Sequence, residues 1–167
     1  GLGNWTATGT WGIVTYNDSN VLTDSPTGNY GNMQNNSITL TNPISLIRVS
    51  NPYLSFKCKY ALENSYDFVY VEASANGSNW IILDSFTGTV NNWINQSYSL
   101  ASFAGGQLYL RFRIKTDWGQ TADGIYIDDV YIIGINNNIA LYGDVTSEGI
   151  INMRDIAFIN EYAIGLD

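Results

Sequence analysis

The stretch QLYLRFRIK at residues 107–115 alternates without a break: Leu108, Leu110, Phe112 and Ile114 take one parity, Tyr109, Arg111, Arg113 and Lys115 the other. Successive side chains of a β-strand point to opposite sides, so this pattern suits a strand with one apolar and one polar face and suits no helix. The same period recurs from about Ser37 to Ile133 in short runs separated by turn clusters, which predicts an all-β antiparallel sandwich. In YLSFKCKYAL (53–62) Leu54, Phe56, Cys58 and Tyr60 face inward while Tyr53, Ser55, Lys57 and Lys59 face outward. DFVYVEAS (67–74) alternates likewise, and the Asn-Gly of ANGSNW (75–80) predicts a hairpin into WIILDSF (80–86). A chain of 167 residues accommodates one such domain with a small appendage.

Charge and residue usage narrow the chemistry. A net charge of −8 argues against nucleic acid or an anionic membrane, whose phosphates need a positive footprint, and makes divalent cations the natural partners. No run approaches the ~20 apolar residues of a membrane span. The N-terminal GLGNWTATGTWG has neither a basic n-region nor an apolar h-region, so an exported form would have had its signal removed. The single cysteine, Cys58, makes no internal disulfide and falls at an inward strand position, where a buried small hydrophobe is expected. Histidine is absent, which removes Ser-His-Asp and Cys-His nucleophiles and His-based zinc sites. An enzyme would need a carboxylate pair whose separation sequence does not define, so a non-catalytic domain is expected.

Five of the seven basic residues, Lys57, Lys59, Arg111, Arg113 and Lys115, lie at outward strand positions. In one reading they pair across strands with carboxylates such as Glu63 and Glu72. In the other they belong to a ligand face, where Tyr53, Tyr70 and Tyr109 stack on a sugar ring or peptide while Arg111 and Arg113 donate hydrogen bonds. Trp80, Trp93 and Trp118 stand beside turns, as an edge site or as buried anchors.

The run DGIYIDDVYIIG (123–134) reads as a strand except for Asp128 and Asp129 in its middle. Ile125 and Ile127 share one parity and Val130 and Ile132 the other, so a β-bulge at the two aspartates is expected. No basic residue lies near them in sequence. A cation with further oxygen ligands would satisfy both carboxylates; the alternative is a pair of solvated aspartates at a strand end.

In order along the chain, DSPTGNY (24–30), PYLSFKCKYALENSYDFVYVEASANGSNW (52–80), WINQSYSLASFAGGQLYLRFRIKTD (93–117) and DGIYIDDVYI (123–132) resemble the MAM-like jelly-roll module of secreted bacterial peptidases of the immune inhibitor A type and of some subtilisin-like proteases. The likeness covers most of residues 5–134, and residues 1–134 are taken as one jelly-roll domain. It implies a β-sandwich that is not itself catalytic, with calcium near the Ser-Pro turn and the closing strand. Carried over by position, the ligands would be Asp24 and one or both of Asp128 and Asp129, with Asp67 from the Tyr-Asp strand; Asn20 is added by proximity. It further implies an extracellular protein whose module accompanies a catalytic domain in the same polypeptide and holds substrate, a cell surface or that domain.

After a linker at 135–142, GDVTSEGIINMRDIAFINEYAIGLD (143–167) reads as a loop feeding a helix, with Met153, Ile156, Ala157, Asn160 and Ile164 at helical spacing and Gly165 as its stop. It resembles one half of a type I dockerin, whose repeat is a calcium loop followed by a helix. The loop ligands would be Asp144, Thr146, Glu148, the Ile150 carbonyl, Asn152 and Asp155, around the turn glycine Gly149. Thr146 and Glu148 depart from the stricter loop pattern, so weak calcium binding or none is expected here, and the sandwich is the favoured calcium site. The helix face from Met153 to Ile164 would bind a cohesin-type domain; the other reading is an acidic turn before an ordinary docking helix.

Overall fold

Alternating burial organises every long strand of the computed structural model, which describes residues 2–136 and the backbone of Tyr162–Ala163. One six-stranded sheet runs β1 (Trp5–Ala7), β4 (Asn35–Leu40), β10 (Gln107–Lys115), β7 (Phe68–Ser74) and β8 (Ile81–Phe86), with β5 (Ile44–Ser45) also on β10. The other runs β2 (Gly12–Tyr16), β3 (Ser19–Thr23), β11 (Gly124–Asn136), β6 (Val49–Ala61) and β9 (Thr89–Ser99), with β12 (Tyr162–Ala163) also on β11. All defined pairings are antiparallel, and the two sheets face each other across one apolar core, as expected for a jelly-roll sandwich.

Leu108, Leu110, Phe112 and Ile114 of β10 and Leu54, Phe56 and Cys58 of β6 are all buried. Phe56 meets Phe112 edge-on at 5.2 Å between ring centroids, so this aromatic pair joins the two sheets. Burial pushes the Cys58 thiol up to about 12, as befits a core cysteine. The hairpin at 75–80 forms: Gly77 has φ +73°, and the Ser74 hydroxyl and Asn76 amide oxygens accept the turn N–H groups.

The bulge in β11 is present. Its register against β6 breaks between Asp128 and Tyr131, Asp129 has φ +49°, and Ile125 and Ile127 before it and Val130 and Ile132 after it all face the core. Two expectations change. Strands β6 and β10 lie in different sheets, so their basic outward faces are on opposite sides of the sandwich. Tyr162 and Ala163, expected within a helix, pair as a strand with Ile132 and Tyr131. The tail ligands Asp144, Thr146, Glu148, Ile150, Asn152 and Asp155, and the partner face of Met153, Ile156, Ala157, Asn160 and Ile164, lie outside the described residues.

Candidate functional site

The bulge aspartates find their partners within the sheet. Lys57 of β6 stands opposite Asp128 and its ammonium pairs with the Asp129 carboxylate. Asp128 accepts from the Ser19 hydroxyl at 3.0 Å and from the Asp129 N–H at 2.8 Å. Part of the charge expected to call for a cation is thus matched by a lysine from the neighbouring strand, distant in sequence and adjacent in space.

Asp24 does not join them. Thr23 pairs with Tyr126 and Leu22 with Ile127, which sets Asp24 beside Ile125, about three residues or ~10 Å along β11 from Asp128. Its Oδ1 accepts the Ile125 N–H at 2.7 Å, while its buried Oδ2 has no hydrogen-bond partner among the described residues. Ser25, next in the Ser-Pro corner, donates to the Asp123 carbonyl at 2.5 Å. Burial pushes the Asp24 carboxyl up from its ordinary 3.8 to about 7, against the Ile125 N–H, which lowers it. The unfolded chain therefore releases this proton first, so the group costs stability increasingly as pH rises from about 4 to about 7. In chelator, Asp24→Asn is expected to melt several °C higher than the parent at pH 8 and level with it at pH 4, followed by circular dichroism. Asn20, at the β2–β3 hairpin, accepts from the Thr15 hydroxyl at 3.4 Å.

Asp67 is buried in a different acidic group. Its carboxylate meets those of Glu63 and Asp117, with one oxygen from each within 4.8 Å of the others. Three loops build the group. The Glu63 N–H donates to the Tyr30 hydroxyl at 2.9 Å, and Tyr30 in turn donates to Asp67, which with burial raises the phenol pKa. Asp67 accepts the Asp117 N–H at 2.9 Å, Asp117 accepts the Gly119 N–H at 2.6 Å, and Glu63 accepts the Gln120 N–H at 2.7 Å. A Cβ on Gly119 would overlap Glu63, so glycine lets the 117–120 turn close over the carboxylates. Sequence reading singled out Asp67 and missed Asp117. The available signal was the Asp-Trp-Gly-Gln turn directly after the strongest strand.

On the outer face of the first sheet Glu72 is 2% exposed and holds two arginines. Arg111 Nε lies 2.5 Å from Glu72 Oε2 and Arg113 Nη2 2.8 Å from Oε1. The Arg111 guanidinium stacks 4.1 Å from the Trp80 ring and that of Arg113 4.5 Å from Tyr70. Cross-strand pairing with Glu72 is therefore the reading the structure supports for these arginines, whereas Glu63 serves the acidic group. Of the expected ligand face, Tyr70, Tyr109, Arg111 and Arg113 share this sheet; Tyr53, on β6, belongs to the other. No helix among the described residues is long and apolar enough to cross a membrane.

Known proteins resemble this chain in sequence or in fold. The chain is 24% identical over 102 residues to the pre-pro-metalloprotease PrtV of Vibrio cholerae, covering 54% of the chain and 11% of that protein. It is 29% identical over 101 residues to immune inhibitor A of Bacillus thuringiensis subsp. alesti, covering 54% of the chain and 15% of that protein. Among solved structures, the K2 cleaved adhesin domain of Lys-gingipain superposes with a TM-score of 0.51 at 16% identity, covering 76% of this chain and 88% of that one. A family 61 carbohydrate-binding module in complex with β-1,4-galactotriose superposes with a TM-score of 0.52 at 15% identity, covering 78% and 88%. Residues 25–154 match the family described as immune inhibitor A-like, MAM domain, a span that runs past the boundary expected at 134. This chain belongs to the immune inhibitor A-like MAM domain family.

Proposed function

We propose that the chain is a non-catalytic, calcium-stabilised accessory module of a secreted bacterial peptidase, working outside the cell to hold substrate or a surface for a catalytic domain in the same polypeptide. The observation that carries the calcium part is the convergence of Glu63, Asp67 and Asp117. The lysine and arginines with defined ion pairs go instead to Asp129 and Glu72. Calcium is a hard cation that takes six to eight oxygen ligands, and three carboxylates suit it. Asp24, with one buried oxygen lacking a partner, fits a second ion near the Ser-Pro corner. Family membership and the two peptidase relatives support the accessory role. The tail at 143–167 would add attachment to a cohesin-type domain, through its weaker calcium loop and apolar stripe.

Differential scanning calorimetry in calcium and in EDTA tests the metal. Binding to the folded state alone stabilises by about 3 kcal/mol at a hundredfold excess over Kd, so a rise in Tm of roughly 5–10 °C is expected, abolished in Asp67→Asn. An unchanged Tm under chelation removes calcium from the proposal. A second reading, a carbohydrate-binding module, is favoured by an aromatic and polar cleft on the outer face of the second sheet. On the Tyr/Arg face of the first sheet the two guanidinium groups are held between Glu72 and two rings.

A further inference from the structure

We propose that the cleft between the tip of the β2–β3 hairpin and strands β6 and β9 binds one ring of a neutral pyranose oligosaccharide; the inference rests on the second reading above and assigns its site. The cleft is about 210 Å³ and is lined by Tyr16, Asn17, Ser19, Lys57, Trp93 and Asp128. Asn17 and Asp18 both have positive φ, 47° and 66°, in the two-residue turn matched to strand twist. The Ser19–Asp128 hydrogen bond then fastens the hairpin tip to the β11 bulge.

Two of the six lining residues are aromatic. Tyr16 stands edge-on to Trp93 with centroids 6.0 Å apart and an interplanar angle of 72°. The Lys59 ammonium lies 3.9 Å from the Tyr16 centroid and 4.6 Å from that of Tyr126, a cation–π contact with each ring. The other lining residues are polar and of both signs: Asn17 and Ser19, Lys57, whose ammonium has further N–H donors beyond its pair with Asp129, and Asp128, whose oxygens keep free lone pairs beside the bonds from Ser19 and the Asp129 N–H. A pyranose ring matches this division, because its C–H face stacks on an aromatic ring while neighbouring hydroxyls accept from lysine and donate to aspartate. A uronate would set its own carboxylate against Asp128, and Lys57 already has its counter-charge in Asp129, so the ligand is neutral. The volume falls below the roughly 300 Å³ of drug-sized pockets, which limits the contact to one ring and the affinity to the weak range.

Isothermal titration of the full chain with β-1,4-galactotriose, cellotriose, mannotriose and trigalacturonate tests this. At least one neutral trisaccharide is expected to bind, with Trp93→Ala and Asp128→Asn each weakening it at least tenfold and Tyr109→Ala leaving it unchanged. Asp128→Asn keeps one oxygen to accept from Ser19 and loses the second, which takes the Asp129 N–H, so its melting curve is recorded beside its binding and it decides the matter where Trp93→Ala fails to fold. Binding that follows Tyr109, or a preference for trigalacturonate, overturns this site while leaving a glycan-binding module in place. Absence of any binding overturns both.

Discussion

Glu72→Ala is expected to lower the melting temperature by on the order of 10 °C. Glu72 lies on β7 with β10 as its neighbour, opposite Arg111 and diagonal to Arg113, and its side chain is 3% exposed against 21% and 18% for the two arginines. Removing it leaves two guanidinium groups crowded together with no counter-charge. Breaking a buried pair from one side costs about 3–5 kcal/mol, and the partial exposure of the arginines argues for the lower end. At roughly 2–4 °C per kcal/mol for a domain of this size, the Tm shift follows. Glu72→Gln keeps the volume and one acceptor, and is expected to fall between parent and alanine. Burial pushes the Glu72 carboxyl up, but hydrogen bonds and charge from Arg113 and Arg111 outweigh it and hold the group below the usual carboxylate range. A depressed folded value means the stabilisation is fully present above about pH 4.5 and is lost as pH falls further. Urea denaturation at pH 7 and pH 3.5 checks both parts. A loss under 1 kcal/mol at pH 7, with no narrowing of the gap at pH 3.5, would show that water replaces Glu72 without penalty.

The inward residues of β10 and β6 were legible because burial on one face of a strand forces a period of two, and a residue's parity is visible in any sequence. Parity also exposed the bulge at Asp128–Asp129, since a change in the inward set has few other causes. Which sheet a strand joins leaves no such trace. Tyr53, Tyr70 and Tyr109 all read as outward, yet outward from β6 and outward from β10 are opposite sides of the molecule. The partner of Asp129 was hidden for the same reason: Lys57 is 72 residues away along the chain and one strand away in the sheet. The acidic group illustrates loops, where no period exists. Glu63, Asp67 and Asp117 meet because Tyr30 and the 117–120 turn bring three connections together, which only the closed fold defines. Trp93 stood out beside a turn as a candidate edge residue, but its partners did not, because Tyr16 reaches it by way of a hairpin that parity does not orient.

Gly124→Ala is expected to be the most damaging single methyl in the domain, at about 3–6 kcal/mol. Gly124 opens β11 in a buried position with φ +80°, a conformation that costs a residue with a Cβ about 1–3 kcal/mol. A Cβ there would also overlap both carboxylate oxygens of Asp24 and lie 2.6 Å from Ser25 Oγ. Asp24 is itself buried and holds the Ile125 N–H, so displacing it strands a backbone donor in the core, for roughly 1–3 kcal/mol more. Gly105 separates the two costs. Its φ is +79° and nothing lies within 4 Å of an added Cβ, so Gly105→Ala carries the backbone strain alone. Equilibrium unfolding of both variants is expected to show Gly124→Ala worse by at least 2 kcal/mol. Equal losses would mean that the Ser-Pro corner yields freely, and that Asp24 is held in place by neither the strand nor an ion.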